Sequence, residues 1–211
     1  YMVSPNISRL LCWRSRSQDT AEAEERLAMA VYPPEYTEPV IDCRITAEDV
    51  TEERLHGLIA TTEHLDDPDV ALEYSNLAST LASDLTVLAI ADRLASLSPT
   101  DVRALYLRGL DINCHAMWRY MDPSSWRGEI PLKQEETFST VIERYYALAD
   151  SMVGAVVESS GEDAVFILCS DHGFAGHRGY DGFEGDVAQG IEMHREDGLL
   201  VMAGPGIRRG E

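Results

Sequence analysis

A chain of 211 residues with 37 acidic and 17 basic side chains can bury a sizeable core, but its net charge of −20 makes nucleic acid and anionic membranes poor partners. No stretch approaches the roughly 20 apolar residues of a membrane span. The four cysteines (Cys12, Cys43, Cys114 and Cys169) are too scattered for a C-x-x-C motif or a disulfide framework, and Cys169 is expected to pack as a small apolar residue.

Lys133 is the only lysine. An acidic, arginine-based surface suits a salt-rich cytoplasm, where a Debye length of about 3 Å at 1 M mutes acid–acid repulsion. A GC-rich coding sequence would deplete lysine equally well. A cytoplasmic location is expected, and the opening at Tyr1 together with the stop at Glu211 points to an internal piece of a longer protein.

In chain order, Tyr1–Ser4 reads as the tail of a strand, and residues 5–45 as irregular chain broken by Pro33, Pro34 and Pro39. Thr46 followed by acids predicts a helix start, with Val50, Leu55, Leu58 and Ile59 facing inward. A longer helix is predicted over 69–97 from Leu77, Leu81, Leu85, Leu88 and Leu94, with Pro99 just beyond its end. Val102–Leu107 reads as a strand leading into Gly-Leu-Asp-Ile-Asn-Cys-His, and a loop bearing Pro and Trp follows at 122–131. Residues 134–158 predict an amphipathic helix with Phe138, Val141, Ile142, Tyr145 and Leu148 on one stripe, stopped by Gly161. Strands are predicted at 164–169 and 198–203, separated by a glycine-dense loop at 173–190. Strands alternating with long helices imply an α/β fold, a mostly parallel sheet with helices on both faces. The expected organisation is a partial catalytic domain: an irregular connection (1–45), a helical insertion or cap (46–97) and an α/β core (98–211).

Ligands of open α/β sheets bind beyond the carboxyl ends of the strands, and there the polar residues gather. The 102–107 segment leads to Asp111, with His115 one helical turn later, while the 164–169 strand ends in Asp171-His172-Gly173. His194 precedes the last strand. Imidazole nitrogens and carboxylate oxygens in such a set suit a divalent cation, zinc first and manganese second. Each residue also has a plainer role: Asp111 as a helix cap, His115 and His194 as ordinary face or loop histidines, Asp171 and His172 as loop residues.

"SDHGF" after an apolar strand, "GLDINCH" before it and "HREDGLLVMAGPGIRRG" after it resemble the alkaline phosphatase superfamily, closest to its type I phosphodiesterase and nucleotide pyrophosphatase branch. The likeness spans roughly 100–211; upstream, only the loose "YPPE" stretch contributes. It implies an alkaline phosphatase-like fold, here incomplete, and two divalent metal ions. Asp111, His115 and His194 would hold one, and Asp171 with His172 the other. It further implies hydrolysis of phosphoric esters, as a phosphodiesterase or phosphomonoesterase, on a small phosphorylated substrate. Two cations clamp the attacking and leaving oxygens while a Ser or Thr forms a covalent phospho-enzyme. The family's nucleophile would lie upstream of Tyr1, since Ser4 and Thr46 read as a turn residue and a cap, so residues 1–211 alone are expected to be inactive.

His177 is a further candidate for contact with substrate phosphate, although a solvated loop histidine explains it too. Arg178, Arg208 and Arg209 read as surface arginines, and 179–190 as a flap or an insertion. The alternatives are a phosphotransferase or mutase using the same metals, and a non-catalytic metal-binding interaction module.

Overall fold

A computed structural model describes residues 2–3, 29–126, 128–176 and 193–210, and helices dominate them. The chain divides into two compact bodies, residues 1–57 with 65–112, and residues 58–64 with 113–211.

In the first body, β1 (Met2–Val3) pairs antiparallel with β2 (Val31–Tyr32), so the expected N-terminal strand forms over Met2–Val3. The prolines start elements instead of breaking them. Pro34 opens the 3-10 turn Pro34–Tyr36, and Pro39 lies in the first turn of α1 (Thr37–Ile41), where a missing N–H leaves no hydrogen bond unmade. Val31 and Val40 pack with Ala30, Ile90 and Leu94.

The one helix expected after Thr46 is two short elements. The Asp49 carboxylate accepts the backbone N–H and the hydroxyl of Thr46, each at 2.7 Å, which closes the 3-10 turn Ala47–Asp49. Val50 is extended, and Thr51 then caps α2 (Glu52–His56) by accepting the N–H of Arg54. Two capping threonines specify two starts, so no continuous helix forms. Val50, Leu55, Leu58 and Ile59 are nonetheless all buried, as their spacing predicts.

Helix α3 (Pro68–Leu97) begins behind Asp67, whose carboxylate accepts the N–H of Asp69. Leu77, Leu81 and Leu94 are buried, while Leu85 and Leu88 are half-buried. Thr86 is buried with them because its hydroxyl accepts the N–H of Ile45 at 3.0 Å and donates to the Ala82 carbonyl at 2.8 Å.

Helix α4 spans Gly109–Met121 and carries Asp111 and His115. In the second body, the helix predicted over 134–158 is split into α5 (Leu132–Phe138) and α6 (Val141–Ser160). Residues 58–60 occupy the break. Ala60 donates its N–H to the Thr137 carbonyl at 2.8 Å, Thr140 its hydroxyl to the Leu58 carbonyl at 3.0 Å, and Arg144 its guanidinium to the Ile59 carbonyl. In an uninterrupted helix the Thr137 carbonyl would serve the residue four later. Phe138, Val141, Ile142 and Tyr145 are buried along the predicted stripe, and Gly161, at φ 82°, ends α6.

Among the described residues every strand pairing is antiparallel, so the expected mostly parallel, alkaline phosphatase-like sheet is not formed there. The strands β3 (Phe166–Cys169) and β6 (Leu200–Ala203) pair directly and antiparallel, with Ile167 opposite Met202 and Cys169 opposite Leu200. The remaining ladder, β4 (Gly173–Phe174) with β5 (His194–Arg195), is also antiparallel. Residues 102–107, expected as a strand, belong to no strand or helix and precede α4.

A doubly covered sheet requires apolar strands buried on both faces, yet Ile167, Leu200, Val201 and Met202 are exposed, as are Val102 and Tyr106. Cys169 is exposed with them, contrary to its expected packing. Among the described residues, no helix is long and apolar enough to cross a membrane.

Candidate metal centre

The site is built on one turn of α4 and on the small β4/β5 ladder. The buried carboxylate of Asp84, on α3, accepts the N–H groups of Arg108 at 3.0 Å and Gly109 at 3.1 Å. It thereby caps α4 from another helix and places a negative charge at the positive end of the helix dipole. Asp111 and His115 follow, one turn apart on a shared face, as their spacing predicts.

His194 reaches the same place from β5. Phe174 is its ladder partner, and the pairing continues beyond the strands through the Ala175 N–H and the Met193 carbonyl at 3.0 Å. Arg195 pins this arm by donating to the His194 carbonyl and, across the ladder, to the Gly176 carbonyl, both at 3.1 Å. Gly173 is required by close approach: a Cβ there would stand 2.6 Å from the Asp197 carbonyl oxygen.

One ligand atom from each of Asp111, His115 and His194 falls within 4.8 Å of the other two. The Nε2 atoms of His115 and His194 are 2.9 Å apart, so one donates and the other accepts. All three residues are half-buried, which limits competing water while leaving an approach. One carboxylate oxygen and two imidazole nitrogens form a donor set that fits a borderline divalent cation such as zinc or manganese.

Of the second expected pair, His172 lies against the group and Asp171 lies beside His172. The Asp171 side chain is 82 % exposed and lies 3.8 Å from the His172 Nε2. The His172 ring stacks on His194 with centroids 3.6 Å apart and planes 15° apart. Its Nδ1 donates to the Gly173 carbonyl at 3.0 Å, which fixes the tautomer of the neutral ring. His172 thus flanks a candidate ligand as a stacking partner. His177, Arg178 and the 179–190 stretch lie outside the described residues.

Two contributors carried no functional signal in the sequence. Asp84 is one acid among several on a long helix, and Phe174 is the last residue of "SDHGF"; the Phe174 ring lies against both His115 and His194. Family models, curated proteins and solved structures yield no match to the chain.

Proposed function

We propose that the protein binds a divalent cation through Asp111, His115 and His194 and uses it in the hydrolysis of phosphoric esters. The observation that carries the binding step is the convergence of three ligand atoms within 4.8 Å, from residues 79 positions apart at the extremes of the histidine pair. The phosphoryl chemistry is supported by the resemblance of the motifs that supply these residues.

A cation in such a site supplies Lewis acidity toward a phosphoryl oxygen. The residues themselves do the rest. Asp111 contributes a hard anionic oxygen that offsets cationic charge, while His115 and His194 contribute neutral nitrogen donors on two separate elements. The Asp84 cap holds the first turn of α4, so Asp111 and His115 need little reordering on binding.

The test is calorimetric titration of zinc or manganese into the metal-free protein, followed by inorganic phosphate or vanadate. Metal binding that Asp111→Asn weakens, with oxyanion binding seen only in the loaded protein, supports the proposal. No metal binding overturns it.

A second reading, a non-catalytic metal-binding interaction module, is favoured by the 82 % exposure of the Asp171 side chain, which is not among the three converging ligands. It predicts metal uptake with no oxyanion affinity and no hydrolysis of a phosphodiester.

A further inference from the structure

Phe174 sits where the candidate ligands meet. Its ring stands edge-on to His115, with centroids 4.8 Å apart and planes at 79°, and meets His194 at 5.7 Å and 61°. On another side Trp118, one turn beyond His115 on α4, lies 5.3 Å from it at 34°. Phe174 is also the residue paired with His194 in the β4/β5 ladder.

That ladder is two residues long on each strand, too short for backbone pairing alone to fix a side chain. Ring packing adds to the Nε2-to-Nε2 hydrogen bond in directing the His194 ring: His172 is stacked on it, and Phe174 lies against it edge to face. His115 has the same neighbour, so one ring touches two imidazoles carried by different elements. Aromatic pairs in tilted or edge-to-face contact resist rotation because the positive ring edge seeks the negative face. Trp118 in turn limits the freedom of Phe174. Phe174 is half-buried, and its aromatic neighbours are three imidazoles and one indole.

We infer that Phe174 is a positioning residue that holds His115 and His194 at ligand separation. The inference rests on the proposed cation site for one arm of its test and stands without it for the other. In the metal-free protein, the imidazole nitrogen and proton resonances of His115 and His194 report the Nε2-to-Nε2 hydrogen bond directly. In the loaded protein, visible absorption of cobalt(II), a spectroscopic stand-in for zinc, reports affinity and coordination.

Phe174→Leu is expected to abolish the resonance signature of the Nε2 pair and to weaken cobalt binding by about 10- to 100-fold, the range for outer partners of metal ligands. The melting temperature should stay unchanged, and Phe174→Tyr should restore both readouts. Phe174→Met serves as a second variant that keeps volume without a ring. Unchanged resonances and cobalt affinity in Phe174→Leu would overturn the inference. So would a loss that follows a fall in melting temperature and is not repaired by Phe174→Tyr, or failure of both ring-free variants to fold, since each marks a plain packing role. If the parent protein takes up no cobalt, the cation proposal fails, while the metal-free resonances still decide the role of Phe174.

Discussion

The Asp84 carboxylate and the Gly109 N–H meet at 3.1 Å across 25 residues of sequence, joining the middle of α3 to the first turn of α4. Asp84 is 2 % exposed, so its charge is kept in the protein by the N–H groups that it accepts. Asp84→Ala removes the carboxylate that both donors share, and urea unfolding should show a loss of about 2–3 kcal/mol. Asp84→Asn retains an accepting oxygen and should lose clearly less. Equal stability of Asp84→Ala and the parent would remove Asp84 from the cap.

The three-residue group and the exposed aspartate make opposite predictions for metal uptake. His115→Ala or His194→Ala each removes a ligand and should weaken zinc binding by more than the roughly 10–100-fold typical of outer partners. Asp171→Asn alters a side chain that is 82 % exposed and should leave zinc affinity near the parent value. Isothermal titration of the variants side by side separates the two cases. An Asp171→Asn loss as large as that of His115→Ala would mean that the cation is held elsewhere.

Local signals were legible in the sequence, and long-range pairing was not. The i, i+4 spacing of Asp111 and His115 needs only helical geometry, and that face forms. Leu77, Leu81, Phe138, Val141 and Tyr145 are buried where periodicity places them, because burial follows the helical repeat whatever the helix packs against. Sheet topology is not legible in the sequence, because an apolar run such as Phe166–Cys169 is compatible with a parallel or an antiparallel neighbour. Nothing within it states that Leu200–Ala203 will pair with it head to tail. The helix break at Ser139–Thr140 is illegible for a related reason: it depends on carbonyls of residues 58 and 59, about eighty positions away.

Helix α3 offers a controlled comparison, since Leu77 and Leu72 share residue type and helix but not surroundings. Leu77 is fully buried, whereas Leu72 is 63 % exposed. Leu77→Ala should lower unfolding free energy by about 2–5 kcal/mol through lost burial and the cavity left behind. Leu72→Ala should stay within about 0.5 kcal/mol of the parent. Denaturant midpoints at constant slope give both values, and similar losses at the two sites would mean that α3 does not bury the face assigned to it.

Asp49 ties stability to acidity at the entrance to the 3-10 turn. The Thr46 hydroxyl, followed by the Thr46 backbone N–H, holds its carboxyl below the ordinary range. A carboxyl lowered on folding stabilises the native state fully above its unfolded pKa, about 3.9. That contribution fades as pH falls through the lower native value. Thr46→Ala removes the larger influence and should raise the Asp49 pKa, followed by carboxyl resonances, toward the unfolded value. Asp49→Asn should destabilise the protein at pH 7 and leave it nearly as stable as the parent once the parent carboxyl is protonated. A stability difference between parent and Asp49→Asn that stayed constant from pH 7 into that acid range would show that the carboxylate charge contributes nothing to the turn.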